Sequence, residues 1–359
     1  MEASGSPTRD QAGRRVRLAL AGLGRMGRFH AENLAGRAPA IELVRVADAV
    51  EAVARREGER LGVPWSTDYA DLLRDPEVEG VVLATPTPLH AEMVERAAAA
   101  GKHVFCEKPI SLELGPTLRT LEAVRAAGVK LQVGFHRRFD PDWAAAAQRI
   151  RAGELGSVYL FRTSLRDKAP PSLDYIRSSG GFFVDVTIHD LDTARWLVGE
   201  IDEVAAFGAA LSDPGFAEAG DVDNAVVVVR FASGALGVID DSRVAGYGYE
   251  CSTEVVGSRA TVRIAHHRRV HNEWLTPGSA AVDWVTDFTE RFPLAYLREL
   301  EDFAAAIRED RRPAVTGEDA LAAFVLARAC DRSWAEGRPV RLRREESAAG
   351  VAYALAEAA

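Results

Sequence analysis

Short apolar runs alternate with amphipathic helical stretches through the first third of the chain. Val16–Ala21, Ile41–Ala47, residues 80–84, His103–Cys106 and residues 130–134 read as strands, and 80–84 has the unbroken apolar run of a fully buried one. Helix-spaced segments lie between them. One runs from the glycines after Ala21 through Phe29 and Leu34, a polar one covers 49–61, and an alanine-rich one is opened by Pro86, Pro88 and His90; another covers 112–127. Strand and helix taking turns at this spacing predict a parallel sheet with helices on both faces.

The pattern changes after about residue 140. A helix over 143–151 and the glycines Gly153 and Gly156 lead into a long strand over 157–166. Pro170-Pro171 and Gly180-Gly181 punctuate the approach to a helix anchored by Trp196. Strands then follow closely at 203–211, Asn224–Phe231, 235–241, 252–256 and 260–264, with turns such as Ala232-Ser233-Gly234 between them. Helices over 294–308 and 317–335 come last. The expectation is a second, α+β domain on an open, mainly antiparallel sheet. The expected layout is a tail over 1–14, a dinucleotide domain over 15–138, a substrate-binding and oligomerisation domain over 139–345, and a tail over 346–359.

Composition narrows the class. A formal charge of −9 in 359 residues argues against nucleic acid as a partner, which calls for basic stripes. No apolar run is long enough for a membrane span, and Arg14-Arg15 lacks the long apolar core and cleavage site of a leader, so a cytoplasmic protein is expected. Cys106, Cys251 and Cys330 are odd in number and widely spaced, which suits a reducing compartment and shows no zinc pattern; no metal is expected.

The strongest local signal is Gly22-Leu-Gly24-Arg25-Met26-Gly27, which follows a strand and opens a helix. Gly22 suits the tight turn, Gly24 the approach of a pyrophosphate, and Gly27 the packing of helix on strand. Asp48, about 20 residues on at the end of the second strand, stands where a ribose 2′-OH is read. The competing reading is an ordinary βα turn with Asp48 as a helix cap, and the context favours the cofactor. The first domain is therefore expected to be a Rossmann domain that takes NAD. A carboxylate repels a 2′-phosphate, while Arg55 and Arg56 leave NADP as the secondary option. Thr85, His90, Glu107 and Lys108, at or near later strand ends, complete the expected cofactor set.

Two further motifs carry chemistry. Lys108, one of only four lysines, sits in Glu107-Lys108-Pro109 just past a strand end, where an X-Pro bond is a candidate for the cis form. Its bland reading is a solvated surface lysine. Asp185 and His189 are four apart and share a face if a helix starts near Asp185. Histidine titrates near neutrality and suits proton removal from an alcohol, and a carboxylate one turn away tunes it. A capping aspartate beside a core histidine is the alternative. Asp192 is a second candidate orienter. Arg137-Arg138 and Tyr247-Gly248-Tyr249 suit either the mouth of a cleft between domains or interface packing. His266, His267 and His271 fall in a basic, loop-like stretch read as a solvated face.

Taken together, these motifs, with Gly134-Phe-His-Arg-Arg-Phe-Asp-Pro141, Gly180-Gly-Phe-Phe-Val-Asp-Val-Thr-Ile-His-Asp190, Gly237-Val-Ile-Asp-Asp-Ser-Arg243 and the stretch over 218–223, resemble the glucose–fructose oxidoreductase/inositol dehydrogenase (Gfo/Idh/MocA) family from about Val16 to Leu342. Within it the chain is most similar to the bacterial inositol 2-dehydrogenases. The resemblance implies a catalytic set of Lys108, Asp185 and His189, with His189 as base, and substrate contacts from Arg138, Asp192 and Tyr249. It also implies subunit contacts on the open sheet of the second domain, in a homo-oligomer, commonly a tetramer. The implied reaction is NAD-dependent oxidation of a cyclitol secondary alcohol to a ketone. A pyranose sugar, sugar derivative or aminocyclitol is the alternative substrate, and a non-catalytic NAD-binding sensor or scaffold the alternative class. Two departures bear on the substrate: Glu250-Cys251-Ser252 stands where such enzymes usually read Asp-Gln-Arg, and Asp241 where they usually carry Asn.

Overall fold

The computed structural model describes residues 13–265, 267–347 and 350–355; the expectations for residues 1–12, His266 and 356–359 lie outside the described residues. The chain forms two compact units. One ends at His136 and takes in Leu294–Ala320; the other comprises Arg137–Pro293 and resumes at Leu321.

In the first unit β1 (Val16–Ala21), α1 (Arg25–Glu32), β2 (Ile41–Ala47), α2 (Glu51–Leu61), β3 (Trp65–Ser66), α3 (Tyr69–Arg74), β4 (Gly80–Leu83), α4 (His90–Ala99), β5 (His103–Cys106), α5 (Leu114–Ala127) and β6 (Leu131–Val133) alternate. The strands pair in parallel in the order β3-β2-β1-β4-β5-β6. The chain thus works outward from β1 to one edge, then returns to build the other side from β4. That reversal opens a crevice at the C-terminal ends of β1 and β4, where open α/β sheets take ligands.

The second unit holds α6 (Pro141–Arg151), β7 (Val158–Arg166), α7 (Leu173–Ser178), α8 (Ile188–Val198), β8 (Ile201–Ala209), α9 (Pro214–Glu218), β9 (Asn224–Phe231), β10 (Leu236–Ser242), β11 (Glu250–Gly257), β12 (Thr261–Ile264), the small hairpin β13 (Trp274–Thr276) and β14 (Ser279–Ala281), and α10 (Phe288–Arg291). After α11 (Pro293–Arg308) and α12 (Gly317–Glu336) come β15 (Val340–Ser347) and β16 (Gly350–Leu355). The large sheet runs β12-β11-β7-β10-β9-β8-β15-β16. Its neighbours are antiparallel except β7 and β10, which run parallel.

Two placements differ from the sequence reading. The helix α11 packs with the first unit: Leu300, Phe303 and Ala304, all fully buried, share a core with Leu18, Leu20, Val82 and Phe105. Spacing of i, i+3, i+4 shows that a helix is buried but not on which sheet it lands. The chain end read as a tail from residue 346 instead continues β15, which pairs with β8 through Val340 and Val204, and carries β16 beside it.

Alternation along β9 sends Ala225, Val227, Val229 and Phe231 inward and Val226 and Val228 outward. Phe207, Leu236 and Val238 are exposed on the flanking strands, and Phe207 and Val238 stand opposite Val226 and Val228 in register. Among the described residues this patch of the sheet face is therefore apolar and uncovered. All three cysteines are buried free thiols. Among the described residues no helix is long and apolar enough to cross a membrane.

Candidate functional site

The glycine loop tests whether a dinucleotide fits. Gly22 has φ +88°, and a Cβ there would lie 2.5 Å from the Ala84 carbonyl oxygen; a Cβ on Gly27 would lie 1.8 Å from the Gly22 oxygen. Protein packing alone therefore accounts for both. Gly24 is different: its φ is ordinary, and an added Cβ would meet no protein atom within 4 Å. The backbone is bare there with open space in front, as a pyrophosphate requires. Gly24 also leads α1, whose start has no side-chain cap and no acidic residue in its first turn. Its N–H groups and helix dipole remain oriented toward an anion.

Along the same edge of the sheet, Asp48 follows β2, Thr85 follows β4, and Glu107 and Lys108 follow β5. One Asp48 oxygen accepts the Leu23 N–H at 2.8 Å and the other the Val50 N–H at 2.9 Å, which ties the glycine loop to the β2 end. A carboxylate has lone pairs to spare for a ribose hydroxyl beyond these two bonds. His90 is buried, with its ring nitrogens 2.8 Å from the carbonyl oxygens of Thr85 and Pro109. It braces the β4 and β5 loops together rather than turning a free nitrogen to a ligand. Burial lowers its pKa, and the two carbonyls oppose that shift. The Lys108–Pro109 bond is cis.

Sequence reasoning missed the support beneath Glu107. His30 Nε2 lies 2.7 Å from Glu107 Oε1, and with fully buried Glu299 these side chains bring ligand-type atoms within 4.8 Å of one another. Burial, aided by the Glu107 charge, pushes the Glu299 carboxyl well above its ordinary range. The three positions are far apart in sequence, so no motif marks them.

In the second unit Phe183–Thr187 forms a wide π-helical turn that runs directly into α8. Asp185 lies in that turn and His189 in the first turn of α8, so a continuous helical path carries both. Single π turns of this kind often mark functional positions. Asp185 Oδ1 accepts the Tyr175 hydroxyl at 2.9 Å, and Oδ2 accepts Arg243 Nη1 at 3.0 Å. Neither partner was a candidate from sequence, although Arg243 closes one of the quoted motifs. The first turn of α8 is also anchored through Asp190, which receives both terminal nitrogens of Arg137 at 2.6 and 3.1 Å and the Thr163 hydroxyl at 2.8 Å, all buried. Arg137 is therefore a structural residue.

Of the expected substrate residues, Arg138 and Asp192 meet in a two-pronged pair at 2.9 and 2.5 Å, with Arg138 over the Trp196 ring. Tyr249 is buried, edge-on to Phe292. Of the departures from the family pattern, Asp241, Glu250 and Cys251 are buried and Ser252 is partly so. Glu250 accepts the Tyr247 hydroxyl and the Ser252 hydroxyl, and burial pushes the Cys251 thiol up to about 12, which leaves it inert. Asp241 sits in the core, where burial and then the Asp190 charge hold it well above the carboxylate range.

The sequence matches the oxidoreductase family's NAD-binding Rossmann fold over residues 16–135 and that family's C-terminal alpha/beta domain over residues 147–342. The chain belongs to the Gfo/Idh/MocA oxidoreductases. It is similar to the myo-inositol 2-dehydrogenase of Thermotoga maritima, at 44% identity over 91% of this chain and 98% of that one. It is also similar to the scyllo-inositol 2-dehydrogenase (NAD(+)) of Bacillus subtilis, at 39% over 94% of this chain and 99% of the relative. Among solved structures, scyllo-inositol dehydrogenase from Lactobacillus casei, crystallised with NAD(H) and scyllo-inositol, matches with a TM-score of 0.86 at 29% identity, over 91% of this chain and 99% of that one. The chain is an oxidoreductase whose Rossmann unit takes a nicotinamide dinucleotide.

Proposed function

We propose that this protein oxidises a secondary alcohol of a cyclitol ring to the ketone with NAD in preference to NADP. The helical turn that carries Asp185 and His189 supports this reading most, in a chain whose relatives over nearly full length include inositol dehydrogenases. NAD, when bound, supplies the hydride acceptor. His189 takes the hydroxyl proton as the carbinol carbon gives up its hydride. Asp185 keeps the imidazole oriented and stabilises the charge it gains. Lys108 offers a positive charge to the developing alkoxide, the kind of electrostatic term that is often the largest in catalysis. Arg138, Asp192 and Tyr249 are proposed to contact the substrate hydroxyls. Asp48 supports NAD, because its carboxylate accepts from a 2′-hydroxyl and repels a 2′-phosphate. The uncovered apolar face around Val226, Val228 and Val238 supports a homo-oligomer assembled through that sheet.

A panel of inositols, aminocyclitols and pyranose sugars with NAD and NADP, read at the reduced nicotinamide absorbance, tests the reading. Turnover is expected with an inositol and NAD, rising with pH as His189 loses its proton. The variant His189→Ala should lose about 10²–10⁴-fold in turnover while still binding NAD. Better kinetics with NADP, or an active His189→Ala enzyme, would sink the corresponding part.

A further inference from the structure

Asp185 is held from two sides in a way that the proposed reaction does not by itself require. Arg243 follows the end of β10, and its side chain is almost wholly buried against the Phe182 ring, 5.4 Å from the ring centre. It gives Nη1 to Asp185 Oδ2 at 3.0 Å and lies 4.0 Å from the Asp221 carboxylate. Asp221 is itself fixed, because its Oδ1 accepts the Phe182 N–H at 2.8 Å. From α7, Tyr175 gives its hydroxyl to the other Asp185 oxygen. Tyr175 is 48% exposed as a residue, but desolvation around its hydroxyl and the Asp185 charge push the phenol up, so it remains a donor throughout the working range. Asp167 also acts on Tyr175, and Asp331 of α12 feels Asp221.

We propose that Arg243, assisted by Tyr175, is a positioning residue that locks the Asp185 carboxylate in one orientation and sets the field it exerts on His189. The inference rests on His189 being the base. A buried guanidinium in contact with Asp185 offsets part of the negative charge that would otherwise hold a proton on His189. The sign follows directly. Without the guanidinium, the field of Asp185 is less compensated, His189 keeps its proton to higher pH, and the acid limb of the activity profile moves up. Without the carboxylate, the limb moves down.

The experiment compares kcat/KM against pH for the full-length protein with Arg243→Met, Arg243→Lys, Tyr175→Phe, Asp185→Asn and His189→Ala, using the inositol and NAD. Arg243→Met should move the acid limb up by about half to one pH unit, less than a direct charge contact would, and should lower kcat about tenfold from lost orientation. Tyr175→Phe should move it the same way by less, Asp185→Asn should move it down, and Arg243→Lys should return it toward the parent value. An unmoved limb in folded, NAD-binding Arg243→Met and Tyr175→Phe would overturn the proposal. If Arg243→Met does not fold, Tyr175→Phe, whose ring is half-exposed, decides alone. An active His189→Ala enzyme would remove the base assignment and this inference with it. An inactive one with an unmoved limb in the Arg243 and Tyr175 variants would remove only this inference.

Discussion

Asp241 shows how burial converts one side chain into the chemical likeness of another. At the ordinary carboxylate pKa of about 4 it would ionise on unfolding, whereas in the folded chain it retains a proton well above that. Its contribution to stability is therefore fully present in acid and is lost as pH rises through the folded value. A neutral carboxyl and a carboxamide have nearly the same shape. Asp241→Asn, which has no carboxyl to ionise on unfolding, should match the parent protein near pH 4 and be the more stable of the two at pH 8. Denaturant melts at the two pH values would check this, and an equal effect at both would contradict it. None of this was legible from the chain, because a neutral aspartate is a consequence of surroundings. Asp185 and His189 could be singled out as candidates because their spacing is local. The Asp185 bond to Arg243 spans 58 positions of sequence and carries no periodic signal.

Among the elements, the alternation of strand and helix in the first unit was readable because each parallel strand is short, apolar and followed by a helix of its own. The mixed sheet was readable strand by strand, since hairpin turns and alternation are local features, but its one parallel pairing, β7 with β10, depends on how distant strands meet. The allegiance of α11 was not readable. Phe303 lies edge-on to Phe105, 6.1 Å between ring centres, and neither is exposed. Phe303→Ala should destabilise the first unit by about 3–5 kcal/mol, as expected for a large aromatic lost from a packed core. Chemical denaturation followed by a probe in the Rossmann sheet would measure it. A cost below about 1 kcal/mol would mean that α11 contributes little to that core.

For the molecule as a whole, the uncovered sheet face carries the clearest consequence. Phe207 is 68% exposed and stands in register with Val226, an arrangement that water alone does not favour. Val228→Glu placed beside them should lower the mass in solution by at least half at micromolar protein, read by light scattering after size exclusion. An unchanged mass would contradict assembly through this face. The chain path has a different kind of consequence. The first unit begins near the start of the chain, yet it needs Leu300, Phe303 and Ala304 to close its core. On the ribosome, at about 5–20 residues per second, the half-built sheet must wait on the order of 10–30 s for α11 to be made. Until then its apolar seam is open, and a fragment cut after His136 would keep that seam permanently. The nucleotide-binding half is thus not a module that can be severed by a single cut.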